Sequence, residues 1–69
     1  MIEVRTERFN DEAGRWWKIA STTAPRPSVR ECVRRIAGNY GGTAGMASRN
    51  VRVTIHYPEG IVTVPDPRG

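Results

Sequence analysis

One apolar stripe decides most of what this chain can fold into. Val29, Cys32, Val33, Ile36, Ala37 and Tyr40 recur at the i, i+3, i+4, i+7, i+8, i+11 spacing of a single helix face, while Arg30, Arg34 and Arg35 point elsewhere. Ser28 followed three positions later by Glu31 is a capping-box signature, so the helix begins there. Glu31 near its start and Arg34-Arg35 near its end suit the helix dipole, and Gly38 or Asn39 supplies the stop. Pro25 and Pro27, on either side of Arg26, force an extended approach to it.

On either side of that helix the apolar period is two. Ile2, Val4 and Thr6 alternate with Glu3, Arg5 and Glu7, which is the pattern of a half-buried strand. Asn10 to Gly14 reads as a hairpin loop, and Arg15 to Ser21 resumes β-favourable residues, so the first two strands pair antiparallel. Val51, Val53, Ile55 and Tyr57 form one face of a third strand over 50–57, with Arg52, Thr54 and His56 on the other. Pro58-Glu59-Gly60 is a tight turn into a short last strand over 61–64, ended by Pro65 and Pro67. Four glycines between Gly38 and Asn50 predict a mobile loop with little packing.

The order is ββαββ, an α+β two-layer sandwich: a four-stranded, mainly antiparallel sheet with one helix on one face. A single domain over 1–64 and a flexible tail over 65–69 follow. With 69 residues, 38% of them apolar, the core is thin, and self-association is the natural supplement. The one cysteine, Cys32, lies in the helical stripe, where a reduced, buried thiol is expected. No run of apolar residues suits a secretory signal or a membrane span, so the expected address is the cytoplasm, without a membrane partner.

Chemistry is sparsely provisioned. Catalysis needs complementary groups within hydrogen-bond reach, and His56, the lone histidine, faces outward on a strand beside Arg52 and Thr54. One Cys and one His do not make a zinc site. The loop Gly41-Gly42-Thr43-Ala44-Gly45 has no Gly-Lys-Ser/Thr ending, and it is expected to run into a strand rather than a helix, so it is not a phosphate cradle. No enzyme activity, metal or cofactor is expected.

Charge says more. The chain carries +4, and ten of its eleven cations are Arg. Residues 1–12 sum to −2, residues 13–58 to +7 and residues 59–69 to −1. Guanidinium forks suit phosphate and carboxylate alike, so this central block points to a polyanion or an acidic protein surface. The tandem Trp16-Trp17 puts one indole on each face of its strand. Trp17 is expected inward with Ile19, and Trp16 outward near Lys18 and Arg52, with the reverse if the hairpin bulges. The expected partner-binding set is Arg15, Trp16, Lys18, Arg30, Arg34, Arg35, Arg49, Arg52 and His56.

In layout, from Ile2 to Val64, the chain resembles the small anti-CRISPR proteins that phages make against bacterial RNA-guided surveillance complexes. It shares their architecture and no motif, and it is basic where many of them are acidic. The resemblance implies a non-catalytic inhibitor that docks on a nucleic-acid-handling protein complex in the host cytoplasm. The alternative is a largely sequence-nonspecific DNA- or RNA-binding protein that uses the basic block, with Trp16 stacking. The arm-binding domains of phage-type integrases are also similar in size, but here a helix precedes the last hairpin. The strand Val51-Arg52-Val53-Thr54-Ile55 lacks the aromatics of an RNA-recognition sheet. A homodimer is compatible with either role.

Overall fold

The computed structural model describes residues 1–65. Strand β1 (Ile2–Asn10) and strand β2 (Arg15–Ala24) form the first hairpin, followed by helix α1 (Val29–Ala37), a 3-10 turn (Gly38–Tyr40) and a short helix α2 (Thr43–Ser48). Strands β3 (Val51–Tyr57) and β4 (Gly60–Val64) close the chain. The sheet order is β2-β1-β3-β4, and every neighbouring pair is antiparallel. The expected α+β architecture is present, with a helical layer richer than one helix. Of the expected tail over 65–69, all but Pro65 lies outside the described residues.

Local chemistry explains the boundaries. The Asn10 side chain accepts from the Ala13 amide at 2.7 Å, and the Gly14 amide donates to the Asn10 carbonyl at 2.8 Å. Gly14 has a φ of +67°, which closes the loop without the steric cost a side chain would bring. Ser28 caps α1 by accepting from the Glu31 amide at 3.4 Å. Tyr57 ties the crossover to the sheet by donating its hydroxyl proton to the Pro27 carbonyl at 2.7 Å.

The core lies between α1, α2 and the two central strands. Ile2, Val4 and Thr6 of β1 share a face with Val51, Val53 and Ile55 of β3, and all six are buried against Cys32, Ala37 and Met46. β1 and β3 take the centre because they carry the large branched side chains on that face, whereas β2 offers Ala20, Thr22 and Ala24 there. β2 is therefore an edge strand, exposed along nearly its whole length.

The glycine-rich segment is not the loose loop its composition suggests. It winds into α2, anchored by Met46, which is fully buried. Gly45 lets the last helical turns approach closely: a Cβ there would fall 1.8 Å from the Tyr40 carbonyl oxygen. Arg49 clamps the same point, donating to the carbonyls of Tyr40 (2.9 Å) and Gly45 (3.1 Å). Composition concealed this helix because one buried thioether and one close backbone contact outweigh weak helix propensity.

Met46→Ala is accordingly expected to cost about 2–5 kcal/mol, as large-to-small core changes do. Gly45→Ala must displace backbone and is expected to destabilise as well. Urea unfolding checks both, and a loss below about 0.5 kcal/mol for Met46→Ala would return the segment to a loop.

Candidate binding faces

The expected partner-binding residues divide between two faces. Trp16, Lys18, Arg52 and His56 lie on the sheet face away from the helices, as the pairings of Phe9 with Trp16, Glu7 with Lys18 and Arg52, and Glu3 with His56 require. Arg30, Arg34 and Arg35 project from α1 in the other layer, Arg49 ends α2, and Arg15 stands at the hairpin end of β2. No single patch gathers all nine.

On the sheet face open to solvent, Arg5 and Arg52 lie against Glu3 and Glu7. Arg52 Nε donates to Glu7 Oε1 at 2.8 Å, with the two side chains only 24% and 12% exposed. The same guanidinium lies 4.1 Å from the centre of the Trp16 ring, and Phe9 meets that ring edge-on at 5.4 Å. Arg5 Nε sits 2.9 Å from Glu3 Oε1 as an ionic contact too bent to be a hydrogen bond, which leaves that buried N–H without an acceptor. Ser21 donates to the other Glu3 oxygen at 2.8 Å, and His56 Nε2 pairs with Thr54 Oγ1 at 3.1 Å. Trp16 thus faces outward as expected, but it is half-buried and its guanidinium neighbour is already engaged. Arg26 is engaged too: it forks onto Glu59 and lies 4.9 Å from the Tyr57 ring centre, pinning the crossover to the β3–β4 turn.

The other side of β2 departs from expectation. Between Thr6 and Glu7 the register slips by one, so Thr6 pairs with Ala20 and Glu7 with Lys18, and Ile19 is the extra residue of a bulge. Trp17 pairs with Arg8 on the helix-side face, yet it lies beyond the reach of the helices and is 48% exposed. Ile19 is 52% exposed. Neither enters the core, which corrects the expected inward placement of both. Their helix-side neighbours form a chain of shallow hollows between β2 and the helical layer. Trp17, Ile19 and Arg8 line one end, Ile19, Arg35, Ile36 and Tyr40 the middle, and Thr22, Glu31 and Arg35 the other end. Arg49 reaches the same region beside Arg8 and Tyr40.

Arg8, Trp17, Ile19 and Tyr40 were not singled out as binding residues from the sequence. Arg8 carried a signal: it occupies the position after Ile2, Val4 and Thr6 on the same strand face, so an apolar face ends there. The bulge that turns Ile19 outward had none. The glycine segment also leads into a short helix, not directly into β3, but six residues of helix do not restore the phosphate cradle that the missing lysine already excluded.

Among the described residues no group of three His, Cys, Asp or Glu side chains gathers into a metal-binding cluster, and no helix is long and apolar enough to cross a membrane. Compared with protein-family models, with curated proteins and with solved structures, the chain matches none.

The ion pairs predict an acid limb. The Ser21 hydroxyl first, then Arg5, holds Glu3 below its ordinary carboxyl value of 4.5, and Arg26 does the same for Glu59. A carboxylate with a lowered folded-state pKa contributes stability above its unfolded pKa and loses it as pH falls through the folded one. Stability from these two groups is expected to be constant above pH 4.5 and to decline below it. Glu3→Gln should flatten that limb in pH-dependent thermal melts. Arg52→Ala strands a mostly buried Glu7 carboxylate and should cost about 1–3 kcal/mol in urea unfolding.

Proposed function

We propose that this chain is a non-catalytic binding protein that docks on an acidic surface of a nucleic-acid-handling protein complex and inhibits it. One observation carries this reading. Arg30, Arg34 and Arg35 are exposed on α1 with no ion-pair partner among the described residues, and Arg35 borders a hollow lined by Ile36, Tyr40 and the exposed Ile19. Free guanidinium groups beside uncovered apolar side chains are the composition of an interaction surface, where Arg and aromatic residues dominate the binding energy.

The architectural resemblance to phage inhibitors of RNA-guided complexes supports this reading, and it implies action in the host cytoplasm. Direct nucleic-acid binding is the second reading, favoured by the same three arginines, which suit phosphate as well as carboxylate. It is weakened on the other face. Arg52 is bound to Glu7 and covers the ring of Trp16, so the indole expected to stack on a base is occupied.

The two readings separate in one experiment. The tagged protein is presented to lysate of its host with and without nuclease, in parallel with a titration against duplex DNA at several salt concentrations. Docking predicts capture of a protein complex that survives nuclease and falls at least tenfold for the double variant Arg34→Glu, Arg35→Glu. Capture lost on nuclease treatment would overturn docking, as would duplex binding whose salt slope drops by about two when both arginines become Ala.

A further inference from the structure

We infer that the middle hollow, between β2 and the second half of α1, is a binding site for a compact apolar monocarboxylic acid held by Arg35. The hollow is a gap in the packing. α1 packs toward β3 and α2, and on the helix-side face β2 offers it only Ala20, Thr22 and Ala24. The space between them is about 280 Å³, close to the roughly 300 Å³ at which small-molecule sites begin. Val4 and Thr6 of β1 line it from the sheet, and Arg35, Ile36 and Tyr40 line it from the helical layer. A larger residue at 20 or 22 would fill that gap and enlarge a thin core, as close packing favours.

The lining sets the chemistry of the ligand. Val4, Ile19 and Ile36 give the hollow apolar sides. Thr6 is 9% exposed, and neither its hydroxyl nor that of Tyr40 has a hydrogen-bond partner among the described residues. Arg35 is the one charged residue in this lining, and its guanidinium has no ion-pair partner among the described residues. An unengaged guanidinium fork beside an apolar hollow matches a carboxylate on an apolar body.

The neighbouring charges limit that ligand to one negative group. Glu31 stands one helical turn before Arg35 in the adjoining hollow, so a second anionic group placed there is repelled. At the other end Arg8 lines its hollow together with Asp11 and Glu12, and Arg49 is already bound to two carbonyls. Arg35 is therefore the cation free to take a carboxylate, and a monoanion fits where a phosphate dianion does not.

The probes are phenylpropanoate and the smaller isovalerate at neutral pH, titrated into the isotopically labelled full chain with amide and methyl shifts recorded. Phenylpropanol and phenylpropylamine are the neutral and cationic controls. Binding predicts saturable shifts centred on Thr6, Ile19, Ile36 and Tyr40, with a dissociation constant of about 1 mM or tighter for at least one acid. The alcohol should bind about tenfold more weakly or worse, as expected for loss of a charge-assisted hydrogen bond. Arg35→Gln should cause a similar loss, whereas Arg34→Gln, outside the lining, should leave affinity unchanged. Ala20→Leu grows a side chain into the hollow from β2 and should abolish binding while the amide spectrum stays that of a folded protein.

Failure of both acids to saturate at about 10 mM would overturn the inference. So would equal affinity for the alcohol, unaltered binding by Arg35→Gln, or shifts confined to the Trp16, Arg52 and His56 face. The acid site and the docking surface are separable, because Ala20→Leu closes the hollow and keeps Arg34 and Arg35. Capture of the partner complex that persists when no acid binds removes the acid site alone, and saturable acid binding without capture removes the docking reading alone.

Discussion

A nine-residue helix can shade only part of a four-stranded sheet, and the rest of this structure accommodates that limit. The helical layer covers β1 and β3, whose branched side chains supply the sheet's part of the buried core. β2 lies outside its shadow, and the reverse face of the sheet has no cover from the described residues. Burying a sizeable core in a chain this short is difficult at best. Here α2 extends the cover: it packs on β3 beside α1 and buries Met46 completely.

The two uncovered regions meet water differently. On the reverse face the long charged side chains lie across one another: Arg5 against Glu3, Arg52 against Glu7 and over Trp16. That arrangement screens the strands and even buries Thr54, but it engages the guanidinium groups of Arg5 and Arg52. Along β2 the helix-side positions Ala20, Thr22 and Ala24 are small, Ile19 stands exposed, and Arg35 has no ion-pair partner among the described residues. Guanidinium groups are thus engaged on one side and available on the other, and this follows from which arginines have carboxylates across the strand from them.

Much of the fold was legible in the residues. The period-two runs marked β1 and β3, the 3.6-residue stripe marked α1, and Ser28, Gly14 and Pro58 marked boundaries that the structure keeps to within a residue or so. These are local signals, since a strand or helix face is written in the spacing of its own side chains. The candidate site was legible only as a pool of charges. Whether Arg52 is free depends on Glu7, 45 positions away in sequence, and whether Trp17 is inside depends on a bulge set by the pairing of two strands. Neither dependence appears in any short window of the chain.

By itself, then, the sequence determined the kinds of element, their order, the single amphipathic helix and the surplus of arginine. Tertiary structure decided that α2 exists, that Trp17 and Ile19 turn outward, and which cations remain unpaired. The reason is the range of the forces. Periodicity and capping act between residues a few positions apart, whereas ion pairing, close backbone approach and strand register are settled only when distant segments lie side by side.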